Sequence, residues 1–321
     1  MTRLGIAIAA LWAVAAIGAP WLAPYDPGRI HPGRAYAPPT RIHFISSAGV
    51  TAPYFHPLIL AHRLERRFEE DRTRAVRIVW FSGGRLFGPS DPEEPLLLFG
   101  ADGLGRDVFS RIMYGARVSL TLALIASALA LMLGGASGLL AGYFGGTLDA
   151  LLSRLAELVL VLPSLYVVVA LRAALPLVLS PQEVFALVAV IFALVAWPMA
   201  ARGVRAVVAA ERSRGYVEAA RAAGAPGHRI LLRHLLPAVQ GLLWTQFALL
   251  VPACLLVEGA LSFAGLGFPD YVPTWGTMLQ EAANIGALML APWLLAPAIA
   301  MVTVVLAINL LVQRTAGTGP V

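Results

Sequence analysis

Lysine is absent from this 321-residue chain, and all 24 of its basic side chains other than histidine are arginine. A P-loop needs a lysine on the β- and γ-phosphates of its nucleotide, and Schiff-base catalysis needs a lysine amine. Both chemistries are therefore excluded, and any ATP that drives this protein must bind to another chain. The single cysteine, Cys254, excludes an intrachain disulfide and a thiolate metal cluster. Because it lies within an apolar run, we assign it to packing.

Charge is also scarce. Only 13% of the residues are charged, 59% are hydrophobic, and the mean hydropathy is +0.76. Soluble domains are about one quarter charged, so most of this chain faces something other than water. In lipid the backbone satisfies its polar groups only as a helix or a closed barrel, and continuous rather than alternating apolar runs favour the helix. The sequence predicts an all-α integral membrane protein.

Six apolar runs have the length of about 20 residues that a membrane-spanning helix needs. They lie at residues 4–23, 118–143, 151–175, 184–204, 238–263 and 288–312. The first run is open to interpretation as a signal peptide, but its positive region is only Arg3, so we predict an uncleaved anchor. The predicted division is an anchor at 1–24, a connector with an insertion at 25–115, a five-helix core at 116–312 and a tail at 313–321.

The insertion differs in composition from the rest of the chain, since proline, glycine and charges are frequent in it. Residues 25–111 contain twelve arginines and ten carboxylates, a near balance that indicates a solvated surface rather than an anion-binding patch. Alternating residues predict strands at 41–45 and 75–81, and a polar segment from His62 to Arg74 predicts a helix. We therefore expect a small α+β domain.

Arginine in the connecting segments predicts the orientation. Residues 202–237 contain seven arginines and two glutamates, and short loops this basic stay in the cytoplasm. Counting spans from that loop places both chain termini in the cytoplasm and the insertion outside the membrane. Long translocated segments escape the positive-inside rule, so the arginines of the insertion are compatible with this orientation.

The second apolar run contains a stripe of small residues, with Gly134, Gly138 and Gly142 four residues apart. Removing side chains along one face of a helix lets a neighbouring helix approach closely. We interpret this stripe as a packing surface between membrane helices.

The segment 205–237 has the pattern of two short helices separated by a forced break. Ser213 is a candidate cap for the first helix, which is rich in alanine. Gly224 supplies a left-handed turn that ends it, and Pro226 prevents its continuation. A smooth, short helix suits docking into a groove on another protein, although the spacing alone is equally compatible with a purely structural loop.

Family motifs distinguish these alternatives. Glu218-Ala219-Ala220, Gly224 and Leu236-Pro237 resemble the EAA loop of ABC-importer permeases, the coupling element that rests on the ATPase subunits. His234 stands where the general pattern has isoleucine, as in the dipeptide/oligopeptide/nickel branch. Residues similar to motifs of that branch occur at 100–111, 114–120, 140–146, 258–267, 273–276, 291–293 and 309–311.

The resemblance covers residues 1–27 and about 100–312, and within the branch the chain looks like the C-type permease. It departs from the pattern at Ala101, where threonine is usual, and at Ala238, where asparagine is usual. The insertion is longer than the usual connector, and the tail after Leu311 lacks the usual Gly-Asp-x-Leu-Arg ending.

The resemblance implies a set of partners. They are a second, B-type permease, two cytoplasmic ATP-binding subunits that hold ATP and magnesium, and an extracytoplasmic substrate-binding protein, all assembled at a lipid membrane. No cofactor in this chain, no enzyme activity and no nucleic-acid partner are expected. Di- or oligopeptides are the predicted substrate, with nickel, glutathione and sugars left open. A self-sufficient secondary transporter is the rival hypothesis, but it predicts an inverted repeat, which the sequence does not show.

Three charged residues lie within the predicted spans, where charge is costly and often functional. Glu157 is a candidate for an ion pair with Arg154, three residues earlier, or for a substrate contact. Arg172 either extends to the membrane surface or lines the pore. Glu258 either takes part in a pore or gate or bonds to the loop that follows it. No catalytic or metal-ligand constellation is visible.

Overall fold

The computed structural model of the chain describes residues 2–46, 49–62, 66–81, 83–174 and 179–317. They group into two compact units that interleave along the sequence. The first unit contains Met1–Gly5, Thr121–Val257 and Ile308–Val321, and the second contains Ile6–Leu120 and Glu258–Ala307.

Helices make up most of the described chain. They are α1 (Thr2–Leu22), α2 (Val108–Phe144), α3 (Gly146–Val161), α4 (Ser164–Ala173), α5 (Pro181–Glu211), α6 (Gly215–Ala222), α7 (Gly227–Ile230), α8 (Leu236–Phe263), α9 (Trp275–Ala282), α10 (Ile285–Leu290) and α11 (Ala296–Gly317). A π-helical turn (Leu231–Leu235) joins α7 to α8, and a 3₁₀ turn (Pro292–Leu295) precedes α11.

Among the residues that the structure describes, five helical segments are long and apolar enough to cross a membrane: Arg3–Leu22, Val108–Phe144, Pro181–Glu211, Gly227–Phe263 and Pro292–Val312. A sixth is obtained only if α3 and α4 are counted as one span, and they are bent by 87°. A continuous helix over 151–175 is therefore wrong. Pro163 disfavours helical geometry in the residue before it, and Leu162 is extended, with φ −79° and ψ 132°.

Helix α2 starts ten residues before the apolar run that predicted it, because a polar side chain caps it. Asp107 precedes the helix, and its Oδ2 accepts a hydrogen bond from the backbone N–H of Ser110 at 2.8 Å. This bond satisfies one of the four N–H groups that a helix start leaves without a partner. A hydrophobicity pattern does not detect such a start, since residues 108–117 are only partly apolar.

The glycine stripe of α2 is a helix-packing surface in the first unit, as predicted. A Cβ added to Gly134 would lie 2.5 Å from the carbonyl oxygen of Trp197, and one added to Gly138 would lie 2.6 Å from that of Ala201. Both neighbours belong to α5. The backbones of α2 and α5 therefore approach to a distance that no larger residue allows.

In the second unit, the described part of residues 25–107 contains strands, turns and isolated bridges but no helix. The strands are β1 (Ile42–Ser46), β2 (Gly49–Phe55), β3 (Leu58–His62), β4 (Arg67–Glu70), β5 (Val76–Trp80) and β6 (Phe87–Pro89). An antiparallel sheet has the order β1-β2-β5-β6, and β3 pairs with β4 as a separate hairpin. The strands predicted at 41–45 and 75–81 are confirmed.

The helix predicted from His62 to Arg74, and with it the α part of the insertion, is wrong. Strand β3 ends at His62, and β4 occupies Arg67–Glu70, with Leu58 opposite Glu70 and Leu60 opposite Phe68. Exposure alternates along β4, with Arg67 and Glu69 on its more exposed face and Phe68 and Glu70 on the other. Because charged residues are so frequent in this segment, the alternation of exposure could not be seen in the sequence pattern. In the other sheet, Phe55 of β2 and Val76 and Ile78 of β5 form a small buried core with Leu96.

Candidate functional site

The predicted coupling loop, residues 205–237, is packed against the body of the first unit. Val217 of α6, Ile230 of α7 and Leu235 of the π turn are each 0% exposed. They form one buried cluster with Val204 and Val208 of α5 and Val239 of α8. Such a core fixes the loop to the ends of two long helices.

The opposite face of α6 is open. Glu218 and Ala219 are exposed, whereas Ala220 is half-buried and packs against the cluster. The helix ends as predicted at Gly224, whose φ of +78° lies in the left-handed region, and the N–H of Ala225 donates to the carbonyl of Ala220 at 3.0 Å. The cap predicted at Ser213 is wrong, because Arg214 occupies the N-cap position without a side-chain bond.

Leu236 and Pro237 lie where the loop becomes α8. Leu236 is half-buried against the cluster, and Pro237 is exposed. The N–H of Leu236 closes the π turn by donating to the carbonyl of Leu231. Proline has no N–H to donate to the carbonyl four residues earlier, so the first turn of α8 lacks a regular α-helical bond at this point. The π turn and Pro237 together form an irregular joint at the base of α8.

Tyr143, at the end of α2, is a contact that sequence reasoning missed. Its ring packs against the buried cluster, and the guanidinium carbon of Arg221 lies 5.7 Å from the ring centroid. Gly227 lies beside the ring, and a Cβ added there would be in van der Waals contact with it at 3.4 Å. Helix α6 is thus linked to α2 as well as to α5 and α8. The family-like stretch at residues 140–146 was the available signal.

Glu258 is the centre of a buried polar network in the second unit. The carboxylate is 2% exposed. The Thr274 hydroxyl donates to its Oε1 at 2.7 Å, the Ser262 hydroxyl to the same oxygen at 2.9 Å and the Ser119 hydroxyl to Oε2 at 3.2 Å. Ser119 in turn accepts from the backbone N–H of Trp275. This geometry supports the alternative in which Glu258 bonds to the loop that follows it.

Arg172 is buried among the described residues. It is 4% exposed, and its Nε and Nη1 atoms have no hydrogen-bond partner within the described chain. The residue lies in the last turn of α4, where a cation is favoured by the helix dipole.

Glu157 is exposed on α3, and the described residues contain no ion pair between it and Arg154. It instead borders a cavity of about 60 Å³ together with Arg202 and Arg205. Arg205 forms a two-bond ion pair with Asp149, one bond of which joins Nη2 to Oδ2 at 2.7 Å. The three charged residues predicted as candidates are therefore in three different environments.

The motif at residues 100–111 builds a second polar network. Arg106 donates through Nε to the Asp102 carboxylate at 2.6 Å and through Nη1 to the carbonyl of Asp270 at 3.1 Å. Glu281 of α9 accepts from the backbone N–H of Gly103 at 2.6 Å. Burial, together with the nearby charge of Asp102, raises the pKa of Glu281. The motif is thus fastened to the segment that follows α8.

These features define a multi-pass membrane protein with a short docked helix on one polar loop. The family model for the binding-protein-dependent transport system inner membrane component matches residues 134–316, more than half of the chain. The chain belongs to this family, and it is accordingly a transport component of the inner membrane.

Two curated relatives are similar over most of their length. The dipeptide transport system permease protein DppC of Alkalihalophilus pseudofirmus is 37% identical, over 71% of this chain and 71% of that protein. The di/tripeptide transport system permease protein DppC of Pseudomonas aeruginosa is 32% identical, over 92% of this chain and 80% of that protein. A chain of the inward-facing methionine ABC transporter MetNI is 18% identical and superposes with a TM-score of 0.44, covering 64% of this chain and 96% of that one.

Proposed function

We propose that this chain is the permease subunit of an ATP-driven, binding-protein-dependent importer of di- or oligopeptides, in which it forms one half of the translocation pore. The family match supports the importer role. The substrate class follows the two relatives, which are named for dipeptides and for di- and tripeptides.

The observation that carries the proposal is the placement of α6. Its buried side holds Val217 in the core of the first unit, and its open side presents Glu218 and Ala219. A small-residue helix held rigidly from behind suits docking into a groove of a partner protein. The EAA-like residues thus lie on and around an element with the geometry that a coupling contact needs.

The partners follow from what the chain lacks and from its family. The sequence contains no lysine and so no P-loop, which leaves ATP and magnesium to two separate cytoplasmic subunits. A B-type permease supplies the other half of the pore, and an extracytoplasmic binding protein delivers the peptide. In this proposal both chain termini lie in the cytoplasm and the insertion lies outside, and the arginine excess of segment 202–237 supports that orientation.

In the proposed mechanism, closure of the ATPase pair pushes on α6. The cluster around Val217 and Leu235 passes this displacement to α5 and α8, and Tyr143 passes it to α2. Because α2 and α5 are in backbone contact along the glycine stripe, they move together. The result is alternating access by rigid movement of packed helices.

Paired glycine substitutions test the coupling role. Gly224 has φ +78°, whereas Gly215 starts α6 without positive φ, and an added Cβ would meet no heavy atom within 4 Å at either position. Gly224→Asp forces a side chain into the left-handed region, while Gly215→Asp places an acid favourably at a helix start. In the assembled transporter we expect Gly224→Asp to abolish peptide uptake with normal membrane insertion, and Gly215→Asp to retain it.

Glu218→Arg, which changes only the open face of α6, is expected to have the same effect as Gly224→Asp. Normal uptake by Gly224→Asp and Glu218→Arg with the ATPases bound would show that α6 is not the coupling element. In the same liposomes, the chain alone is expected neither to hydrolyse ATP nor to accumulate peptide on an ion gradient. Gradient-driven accumulation by the isolated chain would instead identify a secondary transporter.

A further inference from the structure

The β5–β6 hairpin of the insertion is fastened to the end of the first membrane helix. The backbone N–H of Leu86 donates to the carbonyl of Trp21 at 2.7 Å, and the N–H of Phe81 donates to the carbonyl of Leu86 at 2.9 Å. The guanidinium of Arg85 also donates to the carbonyl of Pro24. These bonds place the end of β5 at the level of Leu22, where α1 ends.

A membrane-spanning α1 would bring that level to the boundary of the hydrocarbon region. Helix α1 has 21 residues, and at about 1.5 Å of rise per residue its length matches the roughly 30 Å thickness of the apolar part of a bilayer. Trp21 is its penultimate residue and is 61% exposed. Tryptophan at the end of a span is typical of the membrane–water interface, where its ring is partly apolar and its N–H is hydrated.

Two further large side chains project into solvent beside this point. Trp80 is 57% exposed and Phe81 is 80% exposed. Phe81 also has φ +54°, a left-handed conformation that is uncommon for a bulky residue without local polar bonds. The backbone thus adopts an unfavourable conformation that points a phenyl ring away from the protein. Among the described residues, no burial of that ring compensates for it.

We propose that Trp21, Trp80 and Phe81, here termed the aromatic patch, insert into the interfacial region of the lipid bilayer and anchor the insertion to the membrane. The occupant is lipid because the patch continues an exposed apolar stripe on α1, formed by Leu11, Val14 and Ile17, which are 64%, 60% and 73% exposed. Large exposed apolar patches mark interaction surfaces, and interfacial burial removes the aromatic rings from water.

The hairpin is a suitable support for such an anchor. The Trp80 ring contacts Phe87 of β6 edge-to-face at a centroid distance of 6.2 Å, and Phe87 lies 6.3 Å from Phe109 in the first turn of α2. The patch is therefore supported by contacts with the end of α1 and with the start of α2. The proposal requires only that α1 spans the membrane and is independent of which substrate the chain transports.

Depth-dependent fluorescence quenching tests the proposal on the full chain in phosphatidylcholine/phosphatidylglycerol vesicles. In a Cys254→Ser background, an environment-sensitive fluorophore is attached at Phe81→Cys or Trp80→Cys. Lipids with a nitroxide near the headgroup are expected to quench both roughly twofold or more, and lipids with a nitroxide near the chain end to quench them less, because the aromatic belt lies at headgroup level.

Two matched labels calibrate the result. Val14→Cys, on the exposed stripe of α1, should be quenched best by the deep nitroxide. Arg72→Cys, whose native side chain is 82% exposed on the same insertion, should be quenched by neither. Equal behaviour of the position-81, position-80 and position-72 labels would overturn the proposal. A second outcome would also overturn it. If the labels at positions 80 and 81 change their fluorescence only when the second permease or a binding protein is added, and not on contact with lipid, the patch contacts a protein.

Discussion

The two compact units hold their helices together in different ways. In the first unit, α2 and α5 touch backbone to backbone where Gly134, Gly138 and Gly142 lack side chains. In the second unit, the end of α8 is joined to α2 and to the start of α9 by three hydroxyls that surround the carboxylate of Glu258. One contact is a fit of surfaces, and the other is a set of hydrogen bonds.

The difference follows from the surroundings of each contact. Lipid chains are as apolar as leucine, so helices within a bilayer gain little by burying apolar side chains and associate through close packing instead. Near the ends of the spans the chain leaves its helices, and the freed backbone groups need partners. A buried carboxylate with several donors supplies those partners but makes the structure depend on each of them.

The largest effect is expected for Glu258→Ala. It leaves the buried hydroxyls of Ser119, Ser262 and Thr274 without their acceptor, at a cost of about 1–3 kcal/mol each, and we expect a loss of roughly 4 kcal/mol in unfolding free energy. Thermal unfolding in detergent measures this loss. The matched control is Glu157→Ala on the exposed face of α3, which should change the midpoint little. Equal midpoints for the two variants would show that the Glu258 network contributes no stability.

The glycine contact is expected to give the next largest effect. Gly134→Ala places a methyl group 2.5 Å from the Trp197 carbonyl oxygen, whereas Gly135→Ala meets only Leu243 at 3.6 Å. Overpacking costs typically 1–3 kcal/mol, and a backbone neighbour cannot rotate away, so we expect about 3 kcal/mol for Gly134→Ala and almost none for Gly135→Ala. Similar unfolding midpoints for the two neighbouring variants would contradict the close approach of α2 and α5.

A third, smaller effect is expected in the second unit. It is a dependence of the unfolding free energy on pH. Burial raises the pKa of Asp107 to about 7, and its Oδ1 has no hydrogen-bond partner within the described chain. Burial, reinforced by Arg29 and Arg34, lowers the pKa of His31 to about 4. Between their folded and unfolded pKa values the two groups act in opposite directions.

For Asp107, the folded state binds the proton more tightly, so its contribution to stability increases as pH falls from 7 towards 4. For His31, the unfolded state binds the proton more tightly, so its contribution decreases as pH falls from 6.5 towards 4. At about 1.4 kcal/mol per pKa unit, the contributions largely cancel in the parent chain.

Single substitutions separate the contributions of Asp107 and His31 to the pH dependence of stability. On acidification from pH 7 to pH 5, Asp107→Asn is expected to lose about 2 kcal/mol of unfolding free energy relative to the parent chain, and His31→Gln to gain about 2 kcal/mol. Unfolding midpoints across this pH range provide the measurement. Every other titrating group is common to the three proteins and cancels in the comparison. Two variants with slopes of the same sign would refute the assignment.

Sequence reasoning was most accurate where one apolar pattern is sufficient. The ends of α1 and the glycine stripe of α2 were predicted from residue type alone, since both report what faces lipid or a neighbouring helix. The predicted helix from His62 to Arg74 failed because charges on an exposed hairpin do not reveal their period of two. The break in the third apolar run was missed because a single proline, Pro163, was averaged into a hydrophobic window.

The candidate site shows the same division. The break at Gly224 follows from the properties of glycine, and the EAA-like motif was visible in the residues around it. The link from Arg221 to Tyr143 joins residues that are far apart in the chain, and no local pattern places them in contact. The three charged candidates in the spans were identified as unusual, but their environments depend on which helices enclose them.

The sequence by itself determined that this chain is a helical membrane protein with no lysine for a P-loop, and it identified which loop resembles the EAA motif. Composition and short motifs are local quantities, and insertion into lipid responds to them directly. Only the tertiary structure decided that Glu258 is held by three hydroxyls, that Arg172 is buried with its Nε and Nη1 unbonded among the described residues, and that the insertion is fastened to the end of α1. These outcomes depend on contacts between residues distant in sequence, whose energies exist only once the chain has folded.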